Sequence, residues 1–170
     1  YIDSHPLTLD HVKEAHGILA ANLLPEIHLG RIRTNPMFVI NNNDQIEYVA
    51  AAPNQVASEL GKLFDDIEDL LSRELNSYEV FYYASLIHLV FVKIHPFQDG
   101  NGRTARLIEK WFLLVKLGEI ANSIQLEKNY YTKLSDYYRN IKKLGLEYET
   151  LDYRKSLDFL LMTVQILDEK

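Results

Sequence analysis

The 170-residue chain contains no cysteine. That removes disulfides, thiolate nucleophiles and cysteine-based zinc sites together, and it suits a reducing, cytoplasmic compartment, with a secreted effector as the alternative. Glycine and proline are scarce, seven and five residues, or about 7% of the chain against roughly 12% in ordinary usage. Few turns follow from that, which favours long helices over many short strands. Long apolar runs are missing too. The longest stretch without a charged residue is Val80 to Val92, 13 residues, too short to cross a bilayer. No signal-peptide pattern opens the chain, and Tyr1 in first place suggests a segment excised from a longer one. Positive charge is in deficit, with 18 Lys and Arg against 24 Asp and Glu and a net charge of −6. An acidic chain is a poor general binder of phosphate backbones or anionic lipid, so neither nucleic acid nor membrane is an expected partner.

What is present is ordinary for a folded protein: 47% apolar and 25% charged residues, without low-complexity tracts or repeats. Residues 1–170 read as one domain. Thr8 suits an N-cap for a first helix carrying Val12, Ala15, Leu19 and Leu23, with Pro25 expected to end it. Met37 to Ile40 and Ile46 to Val49 are short apolar runs around a polar turn, Asn41-Asn42-Asn43-Asp44, and predict a β-hairpin. After Pro53 the period becomes 3.6: Val56, Leu60, Leu63, Phe64, Ile67, Leu70 and Leu71 share one stripe. Asp65, Asp66, Glu68 and Asp69 lie opposite, read as a solvated face in preference to a metal site, with Asp69 placed to pair with Arg73. Asn76 with Glu79 forms a capping box for a segment, Val80 to Ile94, that is apolar on almost every side. A further helix is expected from about Gly102 to Leu117, closed by Gly118. Tyr130, Leu134, Tyr137, Tyr138 and Ile141 mark another, and Leu157, Leu160, Leu161, Val164 and Leu167 the last. The fold class is therefore all-α, a helical bundle with one small β-hairpin.

Chemistry concentrates in residues 95–106: His95-Pro96-Phe97-Gln98-Asp99-Gly100-Asn101-Gly102-Arg103-Thr104-Ala105-Arg106. Gly100 and Gly102 let backbone N–H groups approach an oxyanion with no Cβ in the way. The helix that follows offers unpaired N–H groups and the positive end of its dipole. Arg103 and Arg106, three apart, can hold phosphate oxygens in bidentate fashion. Asp99 is a hard oxygen ligand suited to Mg2+ shared with phosphates, and His95 can take a proton from a hydroxyl near neutral pH. Singly, each feature is commonplace: a lone histidine is usually structural, a lone Gly-x-Gly a turn, paired arginines a solvated face. Gathered into twelve residues, they make an anion site the better explanation.

The same string resembles the signature of the Fic family, H-P-F-x-[D/E]-G-N-G-R-x-x-R, at every defining position. Thr8 with His16, Gly30 to Arg33, Pro53 with Val56, and Tyr130-Tyr131 to Leu134 resemble other family segments, so the likeness spans residues 8–142, leaving 143–170 as a C-terminal helical extension. The resemblance implies a Fic-like helical core with a hairpin flap, and a protein adenylyltransferase that moves AMP from ATP to a Tyr, Thr or Ser hydroxyl of a target protein. It implies His95 as general base, Asp99 as the Mg2+ ligand, and Gly100, Asn101 and Gly102 on the α- and β-phosphates. Arg103 would hold the β- and γ-phosphates, Arg106 the γ-phosphate, and Phe97 would anchor the loop in the core. Phe38, Val39 and Ile40 would form the flap strand that pairs with an extended target. Glycine rather than lysine at position 102 implies adenylylation rather than kinase-like transfer.

Many family members carry an inhibitory helix, [S/T]-x-x-x-E-[G/N], whose glutamate pairs with the second arginine. The nearest match is Ser123 with Glu127, followed by Lys128 and placed just after the motif helix, which reads as chance. An inhibitory element then lies outside this segment, sits on a partner or is absent, and the chain as given is expected to act without release. Two rival readings use the same residues. Gly100-x-Gly102-x-x-Ala105 also fits an NAD-binding Rossmann fingerprint if Leu89 to Ile94 is a strand, with Glu119 as the ribose acid. A non-enzymatic helical domain could use the arginines to bind a phosphorylated partner. His88, on the apolar stripe, is expected to be a structural hydrogen-bonder.

Overall fold

Asn76 starts the central helix of the bundle. Its side chain accepts the Glu79 N–H at 3.1 Å while the Glu79 carboxylate accepts the Asn76 N–H at 2.8 Å, the reciprocal cap expected from the sequence. The computed structural model describes residues 1–41 and 43–165. Asn42 of the predicted hairpin turn and Leu167 of the last predicted stripe lie outside the described residues.

Seven α-helices and one hairpin follow along the described residues: α1 (Leu9–Leu19), β1 (Phe38–Ile40), β2 (Ile46–Val49), α2 (Pro53–Ser72), α3 (Ser77–Ile94), α4 (Asn101–Leu117), α5 (Leu126–Thr132), α6 (Leu134–Lys142) and α7 (Leu157–Val164). α3 is the axis and packs on α2, α4 and α7. Apolar on almost every side, it buries Val80, Ala84, Ile87, Leu89, Phe91, Val92 and Ile94 and exposes only Tyr82 beyond its first turn. Trp111, Phe112 and Ile108 of α4 and Phe159 of α7 complete the core. The helical state of residues 80–94 removes the Rossmann alternative: no strand precedes the Gly-x-Gly, and among the described residues the sheet is a two-stranded antiparallel pair.

α2 keeps its acidic residues exposed, with Asp69 paired to Arg73. The hairpin pairs Phe38 with Val49 and Val39 with Tyr48, then slips by one residue so that Ile40 faces Ile46. The slip is a bulge, and it leaves Tyr48 buried while Phe38 and Ile40 face solvent.

Two helix boundaries depart from the periodicity. The first helix is capped by Thr8 as expected but stops at Leu19, well before Pro25. The chain must fold back there, because the Gly30 N–H is bound to the ring of His16 within the last turn of α1. The helix expected around Tyr130 to Ile141 is broken into α5 and α6 at Lys133. The Thr132 hydroxyl donates to the Asn129 carbonyl at 3.0 Å, a local bond that competes with the helical ladder.

Residues 143–155 hold no full helical turn beyond short 3-10 segments, yet they brace the hairpin: the Val49 N–H donates to the Leu146 carbonyl at 2.8 Å. Among the described residues no helix is long and apolar enough to cross a membrane.

Candidate active site

His95 ends α3 in a left-handed conformation, φ 53° and ψ 61°, which turns the chain out of the helix into the loop before α4. A non-glycine residue tolerates that geometry only when its surroundings hold it. Arg33 does so. Its Nε donates to the His95 carbonyl at 2.6 Å, its Nη2 to the carbonyls of Ile94 (3.1 Å) and Ala51 (2.7 Å), and its Nη1 to Asn35 (2.6 Å). The Arg33 N–H also donates to the Pro96 carbonyl at 2.9 Å. One buried guanidinium thus ties the end of α3, the loop and the hairpin's two approaches together.

The other side of the loop is held by His16, which is fully buried. Its ring stacks on Phe97 with centroids 3.7 Å apart, and Nδ1 accepts the Gly30 N–H at 3.0 Å. Nε2 lies 2.9 Å from the Asp99 carbonyl, so this ring is neutral with its proton on Nε2. Burial lowers its pKa, in keeping with that state. Gly100 is left-handed at φ 78°, and a Cβ there would meet His16 Nε2 at 3.3 Å, so two constraints require glycine.

The motif residues are brought together, with different jobs. Phe97 is fully buried, in the position of an anchor. Asn101 is buried too, and both ends of its amide are committed: Oδ1 accepts the Phe97 N–H and Nδ2 donates to the Phe97 carbonyl, each at 2.8 Å. The Gly100 N–H is likewise engaged, by the Asp99 carboxylate at 2.6 Å. Neither the Asn101 side chain nor the Gly100 N–H is therefore free for an anion. The backbone N–H groups of Asn101, Gly102 and Arg103, in the first turn of α4, lack helical acceptors and keep that capacity. Asp99 is exposed at the rim.

His95, Gly102 and Arg106 line one cavity of about 90 Å³ with Val39, Tyr48, Val92, Leu134 and Tyr130, Tyr137 and Tyr138. Arg106 also lines a wider basin of about 470 Å³ with Arg103, Lys110 and Lys128. Arg106 therefore stands between the two, and its Nε is buried without a partner. Among the described residues that guanidinium N–H meets no acceptor, and an anion is the ligand that would satisfy it. Of the flap residues, Val39 reaches the His95 cavity while Phe38 and Ile40 point outward.

Burial first, then the Arg33 charge, push the His95 imidazole down to about 4, so it is a neutral base at physiological pH. Its Nδ1 is 3.1 Å from the Tyr48 hydroxyl. Glu127, read in the sequence as a chance match, lies with Oε1 3.9 Å from Arg106 Nη2, its side chain 83% exposed. His88 is the structural hydrogen-bonder expected, fully buried between Glu109 and Tyr137.

Sequence reasoning assigned no task to Arg33, His16 or Tyr48. The likeness of Gly30 to Arg33 and of Thr8 with His16 to family segments was the signal in the sequence that marked two of these positions.

Residues 6–113 match the family model described as the Fic/DOC family. Among curated proteins, the chain is 31% identical over 106 residues to protein adenylyltransferase fic-1 of Caenorhabditis briggsae, which covers 62% of this chain and 19% of that protein. The chain spans about a fifth of the length of the curated relatives it matches. A Fic family protein from Desulfovibrio desulfuricans G20 superposes with a TM-score of 0.76 at 20% identity, covering 98% of this chain and 47% of that one. The BepC protein of Bartonella tribocorum, solved with bound AMPPNP, gives a TM-score of 0.61 at 16% identity, covering 95% of this chain and 75% of its own.

Proposed function

The chain belongs to the Fic/DOC family, and from that membership we propose that it is a protein adenylyltransferase, moving AMP from ATP to a Tyr, Thr or Ser hydroxyl of a target protein. The observation that carries this reading is the cavity in which a neutral His95 faces Arg106, whose buried Nε has no partner. The names of the curated relatives support adenylyl transfer, and the AMPPNP in BepC supports ATP as donor.

In the proposed step the target O–H bond breaks and its proton passes to Nε2 of His95. The freed oxygen pair forms a bond to the α-phosphorus, the bridging P–O bond to the β-phosphate breaks, and pyrophosphate leaves with that electron pair. Such a transfer needs positioning and charge neutralisation more than covalent chemistry from the protein. A positioned base contributes roughly 10²–10⁴-fold. Arg106 and Arg103 take the γ- and β-phosphate charge, and the first N–H groups of α4 take α- and β-oxygens. The Asn101 amide contributes by closing the loop rather than by holding a phosphate.

Asp99 fits a Mg2+ ligand: it is exposed, and one carboxylate suffices for an ion held mainly by phosphates and water. Among the described residues no group of three His, Asp or Glu side chains that could hold a metal is found. When bound, the ion neutralises triphosphate charge. β1 offers its outer edge to an extended target segment, with Phe38 and Ile40 exposed beside it.

Intact mass after incubation with Mg2+ and each nucleoside triphosphate in turn tests the proposal, with and without candidate targets. A gain equal to AMP is expected, and His95→Ala should abolish it while leaving nucleotide affinity near normal. A gain equal to phosphate or another nucleotide would replace the reaction named here, and transfer surviving in His95→Ala would remove the base.

A further inference from the structure

We propose that Tyr48 is the positioning residue of His95, setting which ring nitrogen carries the proton. The inference rests on the reading of His95 as proton acceptor and adds a residue that the motif does not contain.

Tyr48 lies on β2 opposite Val39 and is 3% exposed. Its hydroxyl is 3.1 Å from His95 Nδ1, with the two rings edge-on at 5.9 Å between centroids. Among the described residues the phenol has no other hydrogen-bond partner, whereas the His95 ring also has the Val92 backbone as a hydrogen-bond partner. The ring itself is held from outside the site. The Lys93 ammonium sits 4.7 Å over its face and donates to the Gly145 carbonyl at 3.1 Å, while the next residue of β2, Val49, is bonded to Leu146. Hairpin, α3 and segment 145–146 therefore converge on one phenol.

A phenol can donate or accept, and the two choices have opposite consequences for the base. If Tyr48 donates to Nδ1, the imidazole proton sits on Nε2 and that nitrogen cannot accept another. If Nδ1–H donates to the Tyr48 oxygen, the Nε2 lone pair is free to take the hydroxyl proton of the target. Only the second arrangement is a base. Once Nε2 has accepted that proton, the imidazolium retains the same Nδ1–H bond, now charge-assisted and stronger. Tyr48 neither gains nor loses a proton. Its bond strengthens along the reaction, so its contribution falls on kcat rather than on substrate binding. A phenol that merely filled space would be replaced by phenylalanine without effect.

Two measurements test this. Nitrogen-15 spectra of the His95 ring in the nucleotide-free protein should show the Nδ1–H form, and Tyr48→Phe should shift it toward Nε2–H. In transfer assays, Tyr48→Phe should lower kcat about tenfold or more, the scale of one charge-assisted hydrogen bond, with KM for ATP within about twofold. An Nε2–H ring in the unaltered protein overturns the proposal without needing any variant to fold. So does a folded Tyr48→Phe protein with unchanged ring spectrum and kcat, which would assign the hold on the ring to the Val92 carbonyl. Should the unaltered chain transfer nothing while its ring carries an Nδ1–H form that Tyr48→Phe loses, the reaction fails and the positioning of the ring stands.

Discussion

Arg33 is a buried cation that meets only carbonyl oxygens, and that choice has two effects at once. It satisfies four backbone acceptors at the end of α3 and around the hairpin, and it leaves its positive charge uncompensated beside His95. Lysine at this position would keep the charge but lose the planar fork that reaches several carbonyls. Arg33→Lys is therefore expected to cost about 2–4 kcal/mol and to lower the thermal midpoint by roughly 5–15 °C, read by calorimetry. The charge bears on pH as well. His95 is held near 4 in the folded chain, below the usual 6.5, so its neutral form is the one that folding favours. The stability it contributes is complete above about 6.5 and is lost as pH falls toward about 4. His16 acts in the same direction. The urea midpoint should fall across that window, less steeply in His95→Asn. The acid limb of kcat/KM, which reports the free enzyme, should lie below about pH 5 rather than near 6.5. An acid limb near 6.5 would show that His95 is not held as described.

At the scale of elements, the capped, strongly periodic segments were legible: α2, α3, α4 and the hairpin follow their apolar spacing, and the loop from His95 to Arg106 stood out by composition. What could not be read depends on partners far along the chain. The Arg33 and His95 contact spans 62 residues, the His16 and Asp99 contact 83, and the Tyr48 and His95 contact 47. No local period encodes such pairs. The same limit affected Asn101, whose place in the motif suggested a phosphate ligand although its amide closes the loop, and Glu127, which lies 21 residues after Arg106 in the chain but folds back to within 3.9 Å. The Glu127 carboxylate is mostly in water, and an exposed pair at that distance contributes about 0–1 kcal/mol. Glu127→Ala is accordingly expected to change the transfer rate by less than about twofold. A tenfold rise in an initial-rate assay would instead make α5 an internal brake on Arg106.

Across the whole molecule, one polar centre joins the helices that wall the site. The Glu109 carboxylate on α4 is fully buried and accepts from His88 Nδ1 on α3 at 2.6 Å, from the Thr163 hydroxyl on α7 at 2.6 Å, and from the Tyr130 hydroxyl on α5 at 3.1 Å. Ser85 of α3 donates to Thr163 at 2.7 Å, and His88 Nε2 meets the Tyr137 hydroxyl of α6 at 3.0 Å. Every donor in this set ends on an acceptor, so the network is satisfied as a unit. Tyr130 and Tyr137 also face the His95 cavity, and the packing of α7 is thereby connected to the wall opposite the base. Glu109→Gln preserves shape but replaces one acceptor oxygen by an NH2 group aimed at two of the three donors. It is expected to cost about 2–5 kcal/mol, from buried donors left without an acceptor, whereas Thr163→Val should cost about 1–3 kcal/mol. Because both changes remove the same Thr163 to Glu109 bond, the double variant should be less destabilised than the two losses added, by about 0.5–3 kcal/mol. Urea unfolding of the four proteins reads that difference. Strict additivity would mean that α7 is held by its apolar face alone, Phe159, Leu160 and Met162, and that the polar centre does not couple the C-terminal helix to the site.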